Sequence, residues 1–324
     1  MDNNNDITIK IGKHNRTIKV PGSWNDLDTR TLLLFYETLF TSPGDEFTST
    51  AFTSVKLIGM LQHLLNVDGS FMVMWENERI QKDPEGGELA FLDELRQVLH
   101  HALAGLFEIE EKEEGGTAYS SKLNLTNNPW PVLTGPGKTK KQAKRHYYAP
   151  ANGLDNVTIY EMGMAFSYFE AYLRTNEEKY AHELIALMYR PSRPETIQER
   201  ESGWGGDRRQ KVRGYESKIE ERMALVRTLP ILVQRVLVFW FAGCRQGIVD
   251  AYPKVFKKSG DGGRAGADYG WGGVLLSVAE QGPMGALGEV SDQHYSNVLT
   301  YLSMKADEAV EANRQADEVK RKRR

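Results

Sequence analysis

The chain has 324 residues, enough for about two domains of ~150 residues each. Hydrophobic residues make up 40% and charged residues 26%, ordinary globular values that exclude wholesale disorder, collagen and rod-like coiled coils. With 41 Lys and Arg against 44 Asp and Glu, a net −3, the whole molecule is no polyelectrolyte binder of nucleic acid. One cysteine, Cys244, allows no intrachain disulfide and fits a reducing compartment. The opening MDNNNDITIK lacks a basic n-region and an apolar h-region, so no secretory signal is expected.

The first predicted element is a β-hairpin. Ile7, Ile9 and Ile11 alternate with Thr8 and Lys10, and Ile18 and Val20 alternate with Thr17 and Lys19. Pro21-Gly22 stops the second strand. A lone hairpin is marginal in water, so this one must pack on something. Asp28 then caps a helix carrying Leu32, Phe35, Tyr36, Leu39 and Phe40 on one face. A second helix is marked by Leu57, Met60, Leu61, Leu64 and Leu65. The apolar run Phe71–Trp75 suits a strand or a helix, and residues 88–107 carry leucines at helical spacing.

Residues 108–152 read as a linker or surface arm. Five glutamates against Lys112 give 108–114 a net −4, and Gly115-Gly116 follow. Asn127-Asn128-Pro129-Trp130-Pro131 and Gly135-Pro136-Gly137 add breakers. Lys138, Lys140, Lys141, Lys144 and Arg145 then give +5.

The second half reads as helical again. Asp155 or Thr158 opens a helix through Leu173, and Asn176 caps the next, which Pro191 ends. Residues 195–213 are polar and glycine-broken, and 215–228 form an amphipathic helix. After Pro230 comes the most apolar segment, ILVQRVLVFWFAGC. Gln234, Arg235 and Arg245 interrupt it too soon for a membrane span of ~20 residues, so it reads as a core helix. Seven glycines between 259 and 273 argue against helix there, leaving a short one at 274–280. Ser291 or Asp292 caps a last helix that loses its apolar face after Met304 and ends in Lys320–Arg324.

The expected fold is therefore mainly α, with helical domains and a small N-terminal β-hairpin. The expected organisation is a hairpin plus helical domain over 1–107 and a linker or arm over 108–152. A helical domain over 153–304 and an extended basic helical tail over 305–324 complete it.

No catalytic, metal-binding or cofactor-binding residue is predicted. Gly135-Pro136-Gly137-Lys138-Thr139 resembles the end of a phosphate loop, but Val132 stands where the first glycine belongs. The seven histidines show no ligand spacing, and His100 and His101 point about 100° apart on a helix. Cys244 reads as a small buried hydrophobe. Lys138, Lys140, Lys141, Lys144 and Arg145 run into His146-Tyr147-Tyr148, a mixture that suits single-stranded nucleic acid or an acidic partner. Arg208, Arg209, Lys211 and Arg213 near Trp204 form a second basic patch. The ordinary reading of such runs is a solvated face.

Three segments together resemble a known family. Residues 18–27, Ile-Lys-Val-Pro-Gly-Ser-Trp-Asn-Asp-Leu, are similar to the hairpin and helix opening of small phage proteins encoded around the tail genes. Ala186-Leu187-Met188-Tyr189-Arg190-Pro191, then Leu229-Pro230 and Phe239-Trp240-Phe241, follow a pattern of the same kind of protein. Tyr269-Gly270-Trp271, Leu275–Glu280 and Asp292–Leu302 resemble the C-terminal part of phage tail assembly chaperones. The matches cover about a third of the chain, which is long for such a chaperone.

The resemblance implies a non-enzymatic tail assembly factor, without cofactor, that binds a helical partner such as a tape-measure protein. It implies action in the host cytoplasm during assembly. The alternatives are a structural tail or connector protein of the virion and a nucleic-acid-associated protein using its basic arms. Trp24, Trp204, Tyr269, Trp271, Lys320, Arg321, Lys322, Arg323 and Arg324 are the partner-binding candidates. A homo-oligomer is compatible with this reading, and no membrane association is expected.

Overall fold

The computed structural model describes residues 7–11, 14–40, 47, 69–111, 117–135, 145–193, 207, 209–212, 218–256, 270–280, 282 and 284–322. The expected helix at 57–65 lies outside them. In chain order the elements are β1 (Ile7–Ile11), β2 (His14–Ile18), α1 (Thr29–Leu39), α2 (Gly69–Lys82), α3 (Gly87–Leu103), β3 (Phe107–Glu111) and β4 (Thr117–Ser121). Then come β5 (Val132–Gly135), β6 (Arg145–Tyr148), α4 (Ile159–Thr175), α5 (Glu178–Met188), α6 (Ile219–Val226) and α7 (Ile231–Ala251). The last are α8 (Pro253–Phe256), α9 (Gly270–Glu280), α10 (Leu287–Asp292) and α11 (Tyr295–Lys322). The fold is mainly α, and among the described residues six strands form three two-stranded antiparallel sheets.

The chain divides into two compact units: Met1–Pro129 with Pro230–Gly243, and Trp130–Leu229 with Cys244–Arg324. This division does not follow the sequence-based boundaries. Residues 108–152, expected as a linker, contribute strands and buried side chains to both units, among them Tyr119, Leu125, Leu133 and Tyr147. Charge and breaker counting hid the short alternations within it, such as the exposed–buried pattern of Val132–Gly135.

In the first unit, β1 pairs with β2 from Ile7↔Ile18 to Ile11↔His14. Asp28 caps α1 by accepting from the Arg30 and Thr31 amides at 2.9 Å each. Hydrogen bonds from Thr31, its amide first, hold the Asp28 carboxyl below its ordinary range. Phe71–Trp75 is helix, not a third strand: Trp75 packs edge-on against Phe91 of α3 and donates to Glu94 at 3.1 Å. The apolar part of α7, Val236–Ala242, is at most 1% exposed, as a core helix requires. Gly243 closes that part. A Cβ there would overlap the Leu125 backbone, so only glycine allows the approach.

Trp24 is the hub of this core. It is fully buried, with edge contacts to Phe107 at 5.5 Å and Phe239 at 5.3 Å. Next to it, Asn25 clamps a strandless segment. Its Oδ1 accepts from the Thr126 and Asn127 amides at 2.8 and 2.7 Å. Its Nδ2 donates to Asn124 O and Thr126 Oγ1, both at 3.0 Å. The Ser-Trp-Asn-Asp stretch is thus accounted for by packing.

In the second unit, β5 pairs with β6, and Thr158 caps α4 by accepting from the Glu161 amide at 3.2 Å. Asn176 does not cap α5. It ends α4 in the left-handed conformation, φ 55°, a role asparagine tolerates, and Glu177 takes the N-cap position. Ser291 and Asp292 close α10 rather than opening the last helix, whose first residue is Tyr295.

α9 begins at Gly270, so the glycines at 270, 272 and 273 are helical, against expectation. Glycine costs about 1 kcal/mol per helical position, and tertiary packing outweighs it here. Trp271 stands 5.7 Å from Phe166 and 5.8 Å from Phe256, centre to centre. Its side chain fills the space a Cβ on Gly163 of α4 would occupy, the nearest approach being 2.8 Å.

Asn25→Ala removes four hydrogen bonds and leaves two amides of the 124–127 segment unpaired. The expected loss is about 2–3 kcal/mol, read as a lower denaturant midpoint. Unchanged stability would show that water satisfies the segment equally well.

Candidate functional site

Among the described residues a cleft of about 540 Å³ opens in the second unit, at the start of α4. Its floor is a buried ion network. Glu161, 1% exposed, receives Arg190 Nη2 at 2.6 Å and Arg209 Nη1 at 3.1 Å. Arg209 also grips Asp207 with Nε at 2.8 Å and Nη2 at 2.9 Å, a bidentate pair. Arg190 Nη1 donates to Gln210 O at 2.6 Å, and Arg209 Nη1 to Met188 O at 2.8 Å.

Backbone pairing delivers both arginines to this place. Arg190 exchanges hydrogen bonds with Tyr148 of β6, at 2.8 and 3.1 Å. On the other side Ser192 bridges to Arg209, and the Gln210 amide donates to Pro191 O at 2.9 Å. Tyr189, just before, donates its hydroxyl to Trp130 O at 2.6 Å. The Tyr-Arg-Pro stretch therefore works as a strand-like strip between two neighbours.

Burial pushes the Arg190 guanidinium below its ordinary range, and the Glu161 charge opposes that shift. Arg222, whose Nε donates to Ala186 O at 2.6 Å, is lowered to about 10 by burial and then by the Arg190 charge. Around the cleft, four cations (Arg190, Arg193, Arg209, Lys211) face four carboxylates (Asp155, Glu161, Asp207, Asp292). Lys211 reaches Asp292 at 3.0 Å. His294 contacts Ser296 Oγ at 2.7 Å and Asp155 O at 2.6 Å. Glu161, Asp207 and Asp292 are each paired with a cation of the cleft, and the charges lining it balance in number. The arrangement acts as a lock on the fold.

The predicted partner residues are scattered. Trp24 is fully buried in the core of the first unit. Trp271 is half-buried against Phe166 and Gly163. Arg209, expected in a surface patch, is 3% exposed in the ion network. Arg145 opens β6, pairs with Glu221 at 3.1 Å and lies over the Tyr147 ring. Among the described residues the next element after β5, which ends at Gly135, is its antiparallel partner β6, and Gly137, Lys138 and Thr139 lie outside them. Lys320, Arg321 and Lys322 are exposed at the end of α11, with Lys320 3.6 Å from Asp317. Trp204, Tyr269, Lys138, Lys140, Lys141, Lys144, Arg323 and Arg324 lie outside the described residues.

A second, shallower groove of about 330 Å³ runs along α9, lined by Gly272, Gly273, Leu276, Ser277 and Glu280. Leu276 is 49% exposed there, while Leu275 and Val278 face the core. The sequence signal was available: Gly-Trp-Gly-Gly-Val-Leu-Leu-Ser-Val-Ala-Glu has no polar face, unlike an ordinary surface helix. No family model, no curated protein and no solved structure matches the chain.

Two outcomes follow from this geometry. Glu161→Ala leaves Arg190 and Arg209 without their shared counter-charge, and about 3–5 kcal/mol of stability is lost. Chemical denaturation measures it, and a loss under 1 kcal/mol would contradict the lock (order of magnitude from surface pairs). Cys244 is 1% exposed and burial raises its thiol pKa, so a thiol reagent labels it only after denaturation. Rapid labelling of the native chain would contradict that burial.

Proposed function

We propose that this chain is a non-enzymatic assembly factor of a phage tail that binds a helical partner, such as a tape-measure protein. The observation that carries the reading is the groove on α9. It lies among the segments that resemble tail assembly chaperones, Tyr269-Gly270-Trp271, Leu275–Glu280 and Asp292–Leu302, and it presents Leu276 beside two glycines. Glycines without side chains let a helix approach closely, and an exposed leucine gives that helix an apolar contact. Leu287 of α10, 45% exposed, adds apolar surface between the last two of those segments, and Met304 of α11, 59% exposed, follows just after them. In this reading the chain acts in the host cytoplasm during assembly, among other tail proteins.

Leu276→Asp tests the groove without touching the core. The expected result is an unchanged melting temperature with at least a tenfold loss of binding to the helical partner, about 1.4 kcal/mol. Trp271→Ala serves less well, because Trp271 also packs on α4. Quantitative mass spectrometry of particles and infected-cell lysate tests the role. Abundance in the lysate with absence from particles supports an assembly factor. A fixed copy number in particles would overturn it in favour of a structural tail or connector protein.

A further inference from the structure

α11 runs for 28 residues, but its own unit covers only the beginning. Tyr295, Val298 and Leu299 are buried, whereas residues 307–322 are all exposed. At about 100° per residue, Leu302, Ala306, Ala309, Asn313 and Ala316 continue the face that those three residues begin. This continuation carries no charge from Leu302 to Ala316, with Val310, 68% exposed, at its edge; beyond it Asp317 and Lys320, 3.6 Å apart, stand on the same face. The ion pairs Lys305–Glu308, Arg314–Glu311 and Arg314–Glu318 lie away from it. So does Asp307, which Lys254 of α8 holds at 2.7 Å. The helix thus leaves its unit with one side paired and the other uncovered.

Charge is segregated along the same helix. Residues 305–319 hold five carboxylates against two cations, a net −3, and 320–324 are five cations. We infer that the 307–322 part of this helix pairs along that face with the same part of a second copy of this chain, antiparallel. That direction sets the basic end of each helix beside the acidic 307–311 stretch of the other. A parallel pair would set two +5 ends side by side. Matching the two stretches puts the two-fold axis near residues 315–316, a self-complementary contact. The alanines let the backbones approach, and Asn313 falls close to the axis. This inference is independent of the phage reading, because it uses only α11.

Single-cysteine crosslinking of the full chain tests both pairing and direction, because Cys244 is buried and silent in the native state. Ala316→Cys is expected to form a disulfide-linked dimer under mild oxidation. Ala306→Cys is expected not to, because its two copies stand about 28 Å apart along the axis at 1.5 Å per residue. Crosslinking of Ala306→Cys as readily as Ala316→Cys would overturn the antiparallel arrangement. Sedimentation equilibrium provides the second measurement. The mass is expected to rise toward twice the monomer with concentration, and Asn313→Glu with Ala316→Glu, which set carboxylates against Glu318 and against each other near the axis, is expected to return it to the monomer at unchanged melting temperature. A monomer at every concentration, or a dimer indifferent to both substitutions, would overturn the proposal.

Discussion

Glu161 is a carboxylate that water barely reaches, and the C-terminal unit is arranged around that fact. A buried charge costs several kcal/mol unless it is paired and hydrogen-bonded. Here it is paired twice, by arginines 29 and 48 residues away in the chain. To reach it, Arg190 has to leave α5 as extended backbone beside β6, and Arg209 has to lie on the other side of that strip. The carboxylate therefore selects one placement of α4, of the strip and of residues 207–210. Slipping the strip by one residue would turn Arg190 away and leave the charge unpaired. Buried ion networks add less to stability than apolar packing of equal volume. What this one supplies is a definite register.

The first unit reaches definition by other means. Its centre is apolar and aromatic, with Trp24, Phe107, Phe239 and Tyr36 meeting edge to face. Polar specification comes from one neutral side chain, Asn25, whose amide imitates a strand neighbour for the 124–127 segment. One unit is thus specified by charge and the other by shape and amide geometry. Both devices fix segments that belong to none of the named helices or strands.

Periodicity in the sequence reveals the helices well, because long amphipathic runs carry a strong signal. The α1 face and the apolar heart of α7 are read correctly from their residues. The strands from Phe107 to Tyr148 are hidden, since short strands among glutamates, glycines and prolines look like a linker. The ion network is hidden for a different reason. Glu161, Arg190, Asp207 and Arg209 show no local spacing, and only the folded chain brings them together. Trp24 is visible as a special residue, but a sequence cannot say whether a tryptophan faces a partner or a core. The α9 groove lies between these cases. Its missing polar face is written in the residues, and glycine content masks the helix that displays it.

Gly163 and Trp271 have a consequence for how this protein can change. The indole occupies the volume that any side chain at 163 would need. Alanine at 163 would push the ring off Phe166, while a small residue at 271 would leave a void beside a bare helix. Neither position can drift alone. Across relatives of this chain the two should vary as a linked pair, glycine with tryptophan and a bulkier residue with a smaller one. That coupling would betray the docking of α9 on α4 in an alignment alone.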